Sequence, residues 1–135
     1  MISAEEKLAG LRRFAEEYTA AWCSQNAARV GAFYEQNGSL SVNGSEAAGR
    51  EAIKSVAQGF MTAFPNLKVS FDNLLIEDDR VTYHWTLTGT NTGPGGTGRD
   101  VRISGFEVWQ MGANGLIASS QGSFDGADYN RQLGL

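Results

Sequence analysis

The chemistry-bearing residues are few. In "GFEVWQM", Glu107 shares strand parity with Val101, Ile103, Trp109 and Met111. Alternate residues of a strand point to one face. If that parity holds, the carboxyl lies on an apolar face, loses water, and its pKa rises. Such a group is a candidate general acid, or a base near neutral pH. The other reading is a bulge at Gly105 that rotates Glu107 to the outer face, towards Arg102 or a partner subunit. The apolar Phe106 and Val108 on the opposite parity favour that reading, so both stand. Asp125 ends the last strand and is the remaining candidate carboxylate; Gly126 and Asp128 beside it are equally suited to a solvated strand end. His84 is the single imidazole. It alternates with Tyr83 and Trp85, so if those rings face inward it faces outward. Cys23 is the single thiol, read as a small helix residue. One His and one Cys do not make a zinc ligand set, and no metal is expected.

These residues need elements to position them. Leu8, Leu11, Ala15, Tyr18 and Trp22 step by three and four, one face of a helix. Asn26 reads as the cap of a second helix carrying Val30, Phe33 and Tyr34. A short strand, Ser39 to Val42, lies between turn residues. Gly49 precedes a third helix with Ile53, Val56, Ala57, Phe60, Met61 and Phe64 on one stripe, stopped by Pro65. The period then changes to two. Leu67, Val69 and Phe71 alternate with polar residues, as do Val81, Tyr83, Trp85 and Leu87, then Val101 and Ile103, and a last strand runs from Leu116 to Phe124. The tail "DGADYNRQLGL" is polar, with room for one helical turn.

"GPGGTGRD", Gly93 to Asp100, is close to a phosphate-cradling loop. Arg99 and Asp100 stand where that motif needs Lys and a hydroxyl, and the loop joins two strands instead of leading into a helix. It reads as a hairpin tip, either a solvent-exposed turn or a lip over a neighbouring cavity.

The chain of 135 residues suffices for one domain, residues 1–135. Hydrophobic residues are 41% and charged residues 19%, as in soluble globular proteins. A net charge of −4 with scattered basic residues argues against nucleic acid as a partner. No apolar run approaches the ~20 residues that span a bilayer. "MISAEEKLAG" lacks the basic-then-apolar signature of a secretory signal, and a lone cysteine suits the cytoplasm.

Helices followed by a strongly curved antiparallel sheet give an α+β domain, a cone whose N-terminal helices pack on the sheet around a pocket. "YTAAWCSQNAARVGAFYEQNGSLSVNGSEAAGREAI", "FPNLKV", "HWTLTGTNTG" and "RQLG" resemble the SnoaL-like, polyketide cyclase-like branch of the nuclear-transport-factor-2-like superfamily. The resemblance implies a cystatin-like cone, an apolar pocket, no organic cofactor and a homodimer through the outer sheet face. Tyr18 resembles the donor tyrosine of the superfamily's steroid isomerases, and Glu107 falls at their donor carboxyl. Their base position holds Asn43, which cannot take a proton but coincides with a water-positioning Asn of the epoxide-hydrolase branch. That branch's Arg and Asp pair would fall around Tyr83 and Trp85. The cyclases' last-strand carboxylate falls at Gln121–Gly122, and their histidine at Asn91.

Trp22, Phe60, Phe64, Tyr83, Trp85, Trp109 and Phe124 are the expected pocket aromatics, though core packing would use the same residues. The reading is a small-molecule pocket protein: a cofactor-independent cyclase or isomerase acting on an apolar carbonyl compound, with Glu107 moving the proton and Tyr18 and Asn43 holding oxygen or water. The alternatives are a binding module for a hydrophobic ligand and a dimerising protein with a filled core.

Overall fold

The computed structural model describes residues 3–135. Helix α1 (Ala4–Trp22) starts at a reciprocal cap: the Ser3 hydroxyl accepts from the Glu6 N–H at 3.1 Å and donates to its carboxylate. Its buried face is Ala15, Tyr18, Ala21 and Trp22, while Leu8, at the near end of the expected stripe, is exposed. Helix α2 (Ala27–Gly31) is a single turn with Asn26 at its N-cap, although the Asn26 side chain makes no capping bond.

Phe33 and Tyr34 do not belong to that helix. The Phe33 carbonyl accepts from the Ile117 N–H at 2.9 Å, and Tyr34 opens β1 (Tyr34–Val42) opposite Ile117. The partner that extends this strand lies more than eighty positions away, so local periodicity has no record of it. A hairpin through Asn43 and Gly44 leads to β2 (Ser45–Ala48). Gly49, at φ +90°, turns the chain into α3 (Arg50–Ala63), which buries Ile53, Ala57 and Met61. Phe64 lies past the last turn, its N–H bonded to the Phe60 carbonyl.

Four strands follow: β3 (Lys68–Glu77), β4 (Arg80–Thr90), β5 (Asp100–Met111) and β6 (Ile117–Phe124). The six-stranded sheet runs β2-β1-β6-β5-β4-β3, with β1 parallel to β6 and every other pair antiparallel. Helices pack on the curled sheet in a cone whose core includes Tyr18, Tyr34, Phe64, Tyr83 and Trp109. The tail forms a full helix, α4 (Gly126–Leu133), capped by the Asp125 carboxylate and closed by Gly134 at φ +83°, so it is longer than the single turn expected. No helix among the described residues is long and apolar enough to cross a membrane.

Candidate functional site

The β4–β5 register runs without interruption from Arg80 opposite Gln110 to Thr90 opposite Asp100. There is no bulge at Gly105, so the parity of β5 carries through and Glu107 faces inward, buried. Phe106 is turned outward against the His84 ring, with centroids 5.9 Å apart. The bulge reading is therefore corrected. Gly105 serves another purpose: a Cβ there would lie 2.7 Å from the Trp85 ring and 2.3 Å from the Ser123 carbonyl oxygen.

Glu107 is held by one oxygen. Its Oε1 accepts from Trp109 Nε1 at 2.8 Å, Tyr18 OH at 2.9 Å and Ser120 Oγ at 3.0 Å. Each donor comes from a different element. Trp109 lies two residues on along β5, Ser120 sits opposite Trp109 on β6, and Tyr18 comes from α1. The Tyr18 proton is committed to Glu107, so in the 2.9 Å contact between the two phenols Tyr34 is the donor. Trp109 is locked by stacking on Tyr83, with centroids 4.9 Å apart, and by the edge of Tyr18 at 5.2 Å. Tyr83 in turn shares a 2.5 Å hydrogen bond with Thr19.

Oε2 has no donor among the described residues. Glu107 lines a cavity whose surface is otherwise apolar, so the unpartnered oxygen is the one that can meet a ligand. Burial raises the pKa of Glu107, and the donors from Trp109, Tyr18 and Ser120 pull it back in part. With Oε1 already receiving three donors, the proton of the neutral acid belongs on Oε2. Burial, reinforced by the negative charge of Glu107, also raises the pKa values of Tyr18 and Tyr34, and burial raises that of Tyr83. All three phenols stay protonated and act only as neutral hydrogen-bonding groups.

The cavity is a narrow slot. Its volume is ≈ 50 Å³. Of the expected aromatics, Trp22, Phe60, Tyr83, Trp85 and Phe124 line it. Phe64 and Trp109 do not. Phe64 packs under Gly89 and beside Tyr129, and Trp109 lies behind Glu107. Aliphatic lining by Leu40, Val42, Val69, Leu87 and Ile103 completes the wall.

Asn43 and Asp125 lie apart from this group. Asn43 sits in the β1–β2 turn at φ +49°, its side-chain oxygen accepting from the Phe124 N–H at 3.0 Å. Asp125 is exposed and its carboxylate caps α4 through the Asp128 N–H at 3.0 Å. Gly122 faces Glu107 directly across the β5–β6 ladder and also lines the cavity. The glycine loop contributes nothing to the lining. Asn91 ties it down by donating to the Ala63 carbonyl at 3.0 Å and accepting from the Thr97 N–H at 2.8 Å. It is an exposed, anchored turn.

Tyr34 and Ser120 escaped the sequence reading as site residues. Ser120 carried a signal, since it shares the parity of Gly122 and Phe124 on the last strand. Tyr34 carried none, because it lay in an assumed helix. Among the described residues no three His, Cys, Asp or Glu side chains come together.

A family model described as SnoaL-like polyketide cyclase matches residues 12–133. Solved structures share the fold at low identity. A protein from Catenulispora acidiphila with a ketosteroid isomerase-like fold, in complex with trimethylamine, has a TM-score of 0.79 at 19% identity, covering 90% of this chain and 92% of that one. TsrD from Streptomyces laurentii gives 0.81 at 18%, covering 99% and 98%. A putative polyketide cyclase from Bacillus cereus gives 0.78 at 20%, covering 98% and 86%. No curated protein sequence matches the chain significantly.

Proposed function

The chain belongs to the SnoaL-like polyketide cyclase family, and from that premise we propose that it is a cofactor-independent acid–base catalyst acting on an apolar, enolisable carbonyl compound of polyketide- or steroid-like type. One observation carries the reading. Glu107 is fixed through Oε1 by three donors, its Oε2 has no donor among the described residues, and the residue lines an otherwise apolar cavity. A carboxyl positioned by one oxygen and free at the other can take a proton from carbon and return it elsewhere. Its raised pKa brings it closer to the basicity such a transfer needs. Glu107 also stands directly opposite Gly122, beside the position where the resemblance to the cyclases implies a carboxylate that this chain lacks.

The roles of the other residues follow from their placement. Trp109, Ser120 and Tyr18 position Glu107, with Tyr34 holding Tyr18. Val42, Phe60 and Phe124 are only half-buried, and their movement would widen the slot towards the ~300 Å³ that ligand pockets usually reach. The same reading expects a homodimer through the outer sheet face, where Phe106 and Leu75 are exposed.

A binding module is the second reading. It is favoured by Asn43 and Gly122, which offer no base at the positions that resemble those of the catalytic relatives. Deuterium uptake decides between the two. In D2O the protein should accelerate exchange at the α-carbons of β-tetralone, and Glu107→Gln should reduce that acceleration by about a hundredfold, the range expected for one acid–base group. Binding of the ketone with no exchange above buffer would leave the binding module.

A further inference from the structure

The site has an acid–base group but its expected oxygen-holding donor is already used. Tyr18 gives its only proton to Glu107 and does not line the cavity. Another donor is unspent. Trp85 lines the cavity, and its Nε1–H is the one buried side-chain polar atom among the described residues with no hydrogen-bond partner. Leaving a buried donor unpaired is costly, and most such groups in folded proteins are paired. Two neighbours fix where the ring sits. Gly105, opposite Trp85, lacks the Cβ that would collide with the Cζ2 and Cη2 atoms of the indole, and Phe124 packs edge-on against the ring at 6.0 Å. The Cζ2 edge of an indole is the edge that carries Nε1.

We propose that the Trp85 indole N–H is the donor that holds the ligand's carbonyl oxygen, and stabilises the enolate formed when Glu107 removes the α-proton. Trp85 and Glu107 line the same cavity, so a small molecule that enters the widened slot lies between them. The indole edge overlies Gly105, and Glu107 is the next inward residue along β5, about 7 Å on at strand spacing. A ketone oxygen and its α-carbon fit such a span once each makes its own contact. A neutral donor fixed beforehand against a developing oxyanion is an effective form of transition-state stabilisation. The proton balance is simple: Glu107 Oε2 takes the α-proton, the charge passes to the oxygen beside Trp85, and the proton returns to carbon or to another atom of the same ligand.

This inference rests on the proposed acid–base reading, and the test separates the two. The probes are β-tetralone and its methylidene analogue, in which C=CH2 replaces C=O at the same shape. Binding is followed by the Trp85 indole signal in 1H–15N NMR spectra, assigned with Trp85→Phe, and by the Glu107 carboxyl carbon signal. The expected result is a downfield move of the Trp85 indole proton with the ketone and not with the alkene. Trp85→Phe should weaken ketone binding about tenfold, about 1.4 kcal/mol, and leave alkene binding within about twofold, as expected when one hydrogen bond is lost. If the ketone shifts the Glu107 signal while the Trp85 indole proton stays in place, the Trp85 assignment is wrong and the acid–base reading survives. If neither probe moves either signal, both fall. The indole shift is read on the unaltered protein, so a poorly folded variant cannot hide the answer.

Discussion

At the scale of single residues, Glu107 couples folding to pH. The folded chain holds its Glu107 proton to a higher pH than the unfolded chain, where a glutamate titrates near 4.3. Between those two values the native state binds more protons than the unfolded state. The contribution of Glu107 to stability therefore falls as pH rises across that window, and is level above it. Glu107→Gln keeps the acceptor for the three donors and cannot ionise. Denaturant unfolding of both proteins from pH 4 to pH 8 should show wild type losing stability relative to the variant; parallel curves would contradict a desolvated Glu107. Ser120→Ala removes one donor that favours the charged form and should raise the Glu107 pKa further. An unchanged or lower value by carbon NMR would mean that the Ser120 hydroxyl does not face the carboxylate.

At the scale of elements, the alternation of β5 left Glu107 open between the inner face and a bulge that would turn it outward, and the continuous β4–β5 register of the folded chain turns it inward. The helix periods of α1 and α3 were legible, because each buries a stripe against the sheet. Tyr34 was not legible. A five-residue helix leaves little periodic signal, and the residue's partner Ile117 comes from the far end of the chain. Glycines sort into two kinds on the same physical grounds. A Cβ at Gly93 would lie 2.0 Å from the Thr62 carbonyl oxygen, whereas one at Gly59, in the exposed middle of α3, meets nothing within 4 Å. Gly93→Ala should destabilise by roughly 1–3 kcal/mol, as overpacking against rigid backbone does. Gly59→Ala should stabilise by about 0.5–1 kcal/mol through helix propensity alone. Thermal or urea unfolding reads both, and equal effects would contradict the anchored state of the glycine loop.

At the scale of the whole molecule, the cone brings α1, β5 and β6 to one carboxyl group, with β1 holding Tyr18 through Tyr34, and the family match spans most of the chain. The fold could be read from the sequence because helix stripes and strand alternation extend over many residues, and the family through the resemblance of stretches such as "HWTLTGTNTG" and "RQLG". The aromatics that line the slot could not be told from those that pack behind it, since Trp109 and Tyr83 share parity, burial and chemistry but only Tyr83 reaches the cavity. The outer sheet face is the surface we expect a second copy to cover. Phe106→Glu should shift sedimentation from dimer to monomer without altering the Glu107 titration, and a wild-type monomer would remove that expectation.

The most direct test of the account is the titration of Glu107 itself, followed at its carboxyl carbon by NMR with Glu107→Gln to assign the signal. The account predicts a midpoint clearly above the ordinary 4.3, as befits a carboxyl held through Oε1 in a water-poor cavity. A midpoint at or below that value would place Glu107 in water or beside a cation, and the acid–base site described above would not exist.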